Sequence, residues 1–349
     1  MVRRRSTRKK KSSGASSGLF LFVLLVVLVG TGAGAWFVYL PAGPNTETFV
    51  EIAPGSSSAQ IALQLERYGI IRSRYGFDLV RLWKRGILKA GEYRFDHPVS
   101  VPEVYARIAR GDVFTVAVTI PEGANRFEVA ARIAQAGLGN KEDFLAATVK
   151  DTSLVADLDP HANTVEGYLY PDTYRFPRKA TPTQIISTMV RRFRTVANQI
   201  GLRENMHSVV TLASLVERET AVNAERPLVA SVLSNRLSKN MPLMTDPAII
   251  YGLETEGKWR GAIYESDLVD PKHDTAYNTY HHKGLPPGPI ANPGQPSLRA
   301  ALHPADTDYL YFVAAGADPQ GKSRFASTLD EHNKNVASYR QAVKQAGGH

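Results

Sequence analysis

Two stretches, Ile52-Ala53-Pro54-Gly55 running on to Gly69-Ile70, and Ile120-Pro121-Glu122-Gly123 running on to Gly137-Leu138, match at a constant offset of 68 residues (52 to 120). Between turn and closing glycine, Ile61, Ala62 and Leu65 of the first copy stand where Val129, Ala130 and Ile133 stand in the second. Each copy reads as a strand, a Pro/Gly turn, an amphipathic helix and a glycine C-cap. Agreement at this many positions marks a duplicated βα unit and sets the fold class as α+β.

Working outward, the interval between the copies holds two more helices. One runs from Ser73 to about Arg85 and closes at Gly86; the other opens with a capping box, Ser100-x-x-Glu103, and ends at Gly111. Residues 91–95 and 113–120 read as strands. Residues 48–140 therefore form a small α+β module, joined by a 41–47 linker to what precedes it.

What precedes it is a span. Leu19–Leu40 carries no charge and is mostly Leu, Val, Phe, Gly and Ala. Twenty-two residues cover about 33 Å as a helix, enough for a bilayer core of about 30 Å. The flank, residues 1–18, holds Arg3, Arg4, Arg5, Arg8, Lys9, Lys10 and Lys11, and no acid occurs before Glu47. Such a flank stays cytoplasmic, which puts everything after the span outside. A cleaved signal peptide is the alternative; the length of the apolar run and the anchor Trp36, Phe37 and Tyr39 argue for a retained single-pass helix in the cytoplasmic (inner) membrane.

The net charge of +9 mostly belongs to this tail: the remaining 35 basic and 33 acidic residues leave +2. The high pI therefore speaks for topology, and no nucleic-acid partner is expected. The absence of cysteine excludes disulfides, thiol catalysis and cysteine metal sites.

In residues 141–345, read as a larger α+β catalytic domain, two segments draw notice. Glu166-Gly-Tyr-Leu-Tyr-Pro-Asp172-Thr-Tyr174 concentrates aromatic faces and carboxylates, a combination that suits sugar rings and equally suits a packed strand and turn. A helix follows, with Met189, Phe193, Val196, Ala197 and Ile200 on one face and a solvated face of Arg191, Arg192 and Arg194.

The second segment is Leu212-Ala-Ser-Leu-Val-Glu217-Arg-Glu219-Thr220, an apolar helix ending in two carboxylates. Burial raises the pKa of such a group, and a carboxyl still protonated near neutrality can serve as a general acid. Two residues apart on a helix is about 200° of rotation, so the pair cannot face one glycosidic bond together. Glu219 stacks over Leu212, Leu215 and Val216 and is preferred as the acid; both remaining surface groups beside Arg218 is the bland alternative. A metal hydrolase reading finds His161, His273, His281 and His282 but no H-E-x-x-H, and no metal or other cofactor is expected.

Leu212–Thr220, Asn235-Arg-Leu237, Thr245-Asp-Pro247, Ala276-Tyr-Asn-Thr-Tyr280, Gly284-Leu-Pro-Pro-Gly288 and His332-Asn333 occur in this order. The series closely resembles the MltG (YceG-like) family of endolytic murein transglycosylases over about residues 45–340, and the 48–140 module resembles the LysM-like modules of some cell-wall proteins. The resemblance implies cleavage of the MurNAc–GlcNAc bond within nascent peptidoglycan strands, without water, leaving 1,6-anhydro-MurNAc ends. It implies that Glu219 is the catalytic acid and then base, with Glu217, Asn235, Asp246, Tyr251, Asn278, Tyr280, Glu166 and Asp172 contacting substrate or supporting it. It also implies partnership with peptidoglycan synthases of the elongation or division machinery. Met244 and Ala248 depart from the family pattern, where Gln and Thr are common. Two rivals stand beside this reading: a water-using muramidase with Asp246 or Glu166 as second carboxylate, and a membrane-anchored wall-binding scaffold.

Overall fold

The computed structural model describes residues 14–270, 272–318 and 321–346; the seven basic tail residues fall outside them. Helix α1 covers Gly14–Tyr39, and its Gly18–Tyr39 portion is long and apolar enough to cross a membrane. The chain divides into two compact units at Thr115–Val116.

In the first unit, β1 (Thr48–Ile52), α2 (Ser58–Arg67), α3 (Arg74–Lys84), β2 (Gly91–Phe95) and α4 (Val101–Arg110) follow in order. β1 and β2 pair antiparallel, Val50 opposite Tyr93. The inward residues of both strands join Ile61, Leu65, Phe77, Val80, Val104 and Ile108 in one apolar core. Local chemistry sets the helix ends. Ser57 and Gln60 form a reciprocal capping box on α2. Ser73 caps α3, and Arg85, left-handed at φ 46°, ends it in the place expected of Gly86. The capping box read at Ser100 does not form: Ser100 makes no side-chain cap, and Glu103 pairs with Arg107 at 3.1 Å.

The second unit opens with β3 (Val116–Thr119), α5 (Arg126–Gln135), α6 (Lys141–Lys150) and β4 (Thr173–Phe176), again with the outer strands paired antiparallel. β3 and α5, grouped by sequence with the first module, pack here. The duplication thus reaches beyond the βα unit: each copy is a β-α-α-β run closed by its own two-stranded sheet, and α5 repeats the capping box with Asn125 and Glu128.

Next come α7 (Pro182–Ile200), α8 (Met206–Glu219), α9 (Arg226–Ser238), α10 (Asp246–Thr255), the short α11 (Glu265–Val269), α12 (Gln295–Leu302), the antiparallel pair β5 (Tyr311–Ala314) and β6 (Ser323–Ala326), and α13 (Leu329–Ala346). α8 is the axis of this unit: it packs against α9, α10 and α12, and every residue from Val210 to Val216 is buried. Met189, Phe193, Val196 and Ile200 of α7 enter the same core, as their spacing requires. The opposite face of α7 is not simply solvated. Arg194 clamps both oxygens of Asp157 at 2.6 and 2.7 Å, and Arg192 bonds Asp172 at 2.7 Å.

Candidate functional site

α8 is buried on all sides from Val210 to Val216 and breaks into extended backbone at Thr220, after which α9 starts at Arg226 with Pro227 in its first turn. Its last turn therefore carries both glutamates to the edge of the core, beside a cavity of about 520 Å³ lined by Glu122, Gly123, Glu217, Arg218, Glu219, Thr220, Ala221 and Arg226.

The two glutamates differ, though for another reason than an apolar stripe. The Glu217 side chain is only 4% exposed. One oxygen accepts from Arg226 Nη2 at 2.8 Å and the other from the Gly294 amide, at the start of α12, at 2.9 Å. It ties α8, α9 and α12 together. Glu219 is partly exposed at the cavity, and its carboxyl accepts no hydrogen bond among the described residues. Burial, reinforced by the negative charge of Asp246 and opposed by Arg236, pushes it up to about 7. A carboxyl in this state is neutral over much of the neutral range and has no protein group competing for its proton.

Glu219 feels the charges of Asp246 and Arg236 from other elements, and Tyr280 and Asn278 belong to the same group of side chains. Asp246, the first residue of α10, accepts the Tyr280 hydroxyl at 2.7 Å. Tyr280 is pushed up by burial, by that bond and by the charges of Asp246 and Glu219. Asn278 is buried in the Thr275–His282 turn, where its side-chain oxygen accepts the Tyr280 amide at 3.1 Å and so sets where the phenol points. Arg236 of α9 donates to the carbonyls of Leu310 and Leu243 at 2.7 and 2.8 Å and lies 5.4 Å from the Tyr311 ring. Burial lowers its pKa.

The remaining candidates lie elsewhere. Asn235 does not face the cavity; its amide donates to the carbonyls of Thr307 and Tyr309 at 2.7 and 3.0 Å and holds the approach to β5. Glu166 is 1% exposed and accepts the Arg126 amide and the Asn292 side-chain amide, both at 2.8 Å. Burial pushes it up to about 7 against the pull of the Arg126 amide and charge, the Tyr251 hydroxyl and the Gly167 amide. Tyr251 packs edge-on to Tyr277 and belongs with Glu166 in this interior cluster. Asp172 is engaged with Arg192. His281 and His282 both turn to Asp274, and His273 to Asp267.

Three contributors escaped the sequence reading. Arg236 sat inside a quoted block, but a helical arginine reads as a surface charge until its partners are known. Arg226 precedes Pro227 with nothing to mark it as the buried partner of Glu217. Glu122 was read only as a turn residue; its carboxylate reaches the cavity, 3.8 Å from Arg226, and is raised by partial burial and by the charge of Glu217.

The chain is 34% identical over 317 residues to a Bacillus subtilis (strain 168) protein named endolytic murein transglycosylase, covering 84% of this chain and 85% of that one. A protein of the same name from Streptococcus pneumoniae serotype 2 (strain D39) is 28% identical over 360 residues, 92% of this chain and 65% of its own length. The crystal structure of a yceG-like protein from Listeria monocytogenes aligns with a TM-score of 0.52 at 32% identity, covering 83% of this chain and 99% of that chain. A model of the YceG-like family matches residues 50–338, most of the sequence, and the chain belongs to that family.

Proposed function

We propose that the protein is an endolytic lytic transglycosylase of peptidoglycan, with Glu219 as its acid and then its base. The observation that carries the assignment is a cavity carboxyl near neutral pKa with no protein hydrogen bond, while its neighbour Glu217 has both oxygens occupied. Glu219 protonates the oxygen of the MurNAc–GlcNAc bond as that bond breaks. As carboxylate it takes the proton from the C6 hydroxyl of the same MurNAc, whose oxygen closes on C1. The proton is returned, no water is consumed, and a 1,6-anhydro end remains. Arg236 stabilises the carboxylate between the two transfers, and Asp246, fixed by Tyr280, keeps the first proton on Glu219.

A water-using muramidase is favoured by one observation, the charge of Asp246 acting on Glu219. Glu166 is unavailable for that part, since both its oxygens are bonded in the interior. Mass spectrometry of glycan strands digested by the full chain separates the two: anhydro ends support the transglycosylase, reducing ends the muramidase. Glu219→Gln should abolish cleavage with the melting temperature unchanged. Cleavage at the native rate would remove Glu219 from the mechanism, and glycan binding by the unmutated chain without cleavage would leave a scaffold.

The finer organisation belongs to the same proposal. The β-α-α-β order and antiparallel pairing over residues 48–95 support a LysM-like glycan-binding module. α1 supports a single-pass anchor in the cytoplasmic membrane, with residues 1–18 inside and the catalytic unit on the side of the nascent strands, where synthases of the elongation or division machinery work.

A further inference from the structure

The inner face of α3 enters the first core through Gly76, Phe77 and Val80. Its outer face, Tyr75, Leu79, Leu82 and Trp83 at i, i+4, i+7 and i+8, is exposed, with only the Arg74 guanidinium lying over the Tyr75 ring at 4.9 Å, and Ile87 continues the ridge past the helix. Their exposure rises from 60% at Leu79 to 84% at Ile87. A single exposed Leu is ordinary; five large apolar side chains on one ridge mark a surface that meets something apolar. The ridge is also held in place. The Tyr105 hydroxyl accepts the Gly86 amide at 2.5 Å and donates to the Gly86 carbonyl at 3.2 Å, and the Tyr93 hydroxyl donates to the Lys89 carbonyl at 2.8 Å.

Two observations identify what covers it. First, α3 begins where the apolar α1 ends: Val38 packs towards Gly76, Arg72 donates to the carbonyls of Leu40 and Pro41 at 3.0 Å, and its guanidinium lies 5.1 Å from the Trp36 ring. Second, the ridge is edged with positive charge. Six basic residues and one acid lie between Arg72 and Lys89. Arg81, Leu82, Arg85 and Gly86 enclose a concavity of about 230 Å³, and among the described residues Arg81, Lys84 and Arg85 have no acidic partner. Aromatic and aliphatic side chains on one helix face with arginine and lysine beside them is the composition of a helix lying in a membrane interface.

From this we infer that the outer face of α3 lies in the headgroup layer of the bilayer that α1 enters, its apolar ridge among the acyl chains and the Arg81–Arg85 concavity on the phosphate of an anionic lipid. The inference requires α1 to be inserted and is independent of the chemistry at Glu219.

The chain has no cysteine, so Leu82→Cys and Ile87→Cys each give a unique spin-label site, with Ala59→Cys on exposed α2 as the aqueous control. The full chain is reconstituted into phosphatidylcholine vesicles with and without phosphatidylglycerol, and label relaxation by oxygen is compared with relaxation by a water-soluble nickel complex. Labels at 82 and 87 should favour oxygen severalfold over the label at 59, at every protein-to-lipid ratio. Phosphatidylglycerol should strengthen that preference, and Arg81→Glu with Arg85→Glu should remove the gain. Labels at 82 and 87 as open to nickel as the control would overturn the inference. So would protection that vanishes on dilution into more lipid, since a second protein would then be the cover. Protection indifferent to phosphatidylglycerol and to the arginine reversal would overturn the anionic-lipid assignment.

Discussion

Replacing Glu217 by Ala removes the hydrogen-bonded carboxylate of the Arg226 guanidinium, itself 6% exposed, and leaves it only the more distant Glu122 at 3.8 Å. Removing one partner of a buried pair costs about 3–5 kcal/mol. Glu217→Ala should therefore lower the melting temperature sharply, whereas Glu219→Gln, which breaks no protein hydrogen bond, should leave it in place and lose turnover. Thermal unfolding and glycan cleavage measured on both variants check this; equal destabilisation would refute the division of labour. The pH dependence follows from the same carboxyls. Glu219 must begin protonated, so kcat/KM should fall as pH rises through about 7. Glu166 is raised from 4.5 to about 7 in the folded chain, which binds its proton more tightly than the unfolded chain. That contribution is complete below about 4.5 and is lost as pH rises to about 7, a difference of up to roughly 3 kcal/mol. Glu166→Gln should flatten the fall in stability between those limits, as denaturant titrations at several pH values would read.

At the scale of elements, the close approaches are made by glycine. Gly167 sits at φ +85°, and a Cβ there would meet Pro289 at 2.6 Å and Val210 at 2.8 Å. Gly167→Ala thus wedges the proline-rich loop away from α8 and should cost several kcal/mol, read as a lowered denaturation midpoint. A contact between Pro289 and a residue more than a hundred positions earlier leaves no local trace in the sequence. The same limit explains the other misses. Apolar spacing located α7 and α8 because periodicity is a property of one helix. It preferred Glu219 for sharing an apolar stripe, but α8 is enclosed from Val210 to Val216, and what separates the two glutamates is the pair of partners, Arg226 and Gly294, that other elements bring to Glu217. The sequence placed Asn278 and Tyr280 in one motif, and Asn278 holds the Tyr280 amide; Asn235 and Tyr251, named beside them, make their contacts away from the cavity, with the Thr307 and Tyr309 carbonyls and with Tyr277. Order along the chain separates none of these.

Across the whole molecule, the duplication was half legible. The turn and first helix of each copy share a constant offset, so they could be matched by eye. The return strands could not: β2 begins 39 residues after β1 ends, and β4 begins 54 after β3 ends, because an insertion precedes β4 (52 to 91; 119 to 173). The copies have also diverged in use. Pro54 of the first turn corresponds to Glu122 of the second, which lines the cavity. Glu122→Pro should therefore be tolerated by the turn and weaken glycan cleavage with little change in melting temperature; activity at the native rate would place Glu122 outside substrate contact.

Glu219 is the last residue of α8 and Asp246 the first of α10. Aligned peptide dipoles leave the C-terminal end of a helix partially negative and the N-terminal end partially positive. The end of α8 thus discourages a negative charge on Glu219, while the start of α10 welcomes one on Asp246. The two carboxylates thus sit at helix ends of opposite polarity, so shortening one and lengthening the other, with Glu219→Asp and Asp246→Glu, should cost rate by moving each out of the place its helix gives it.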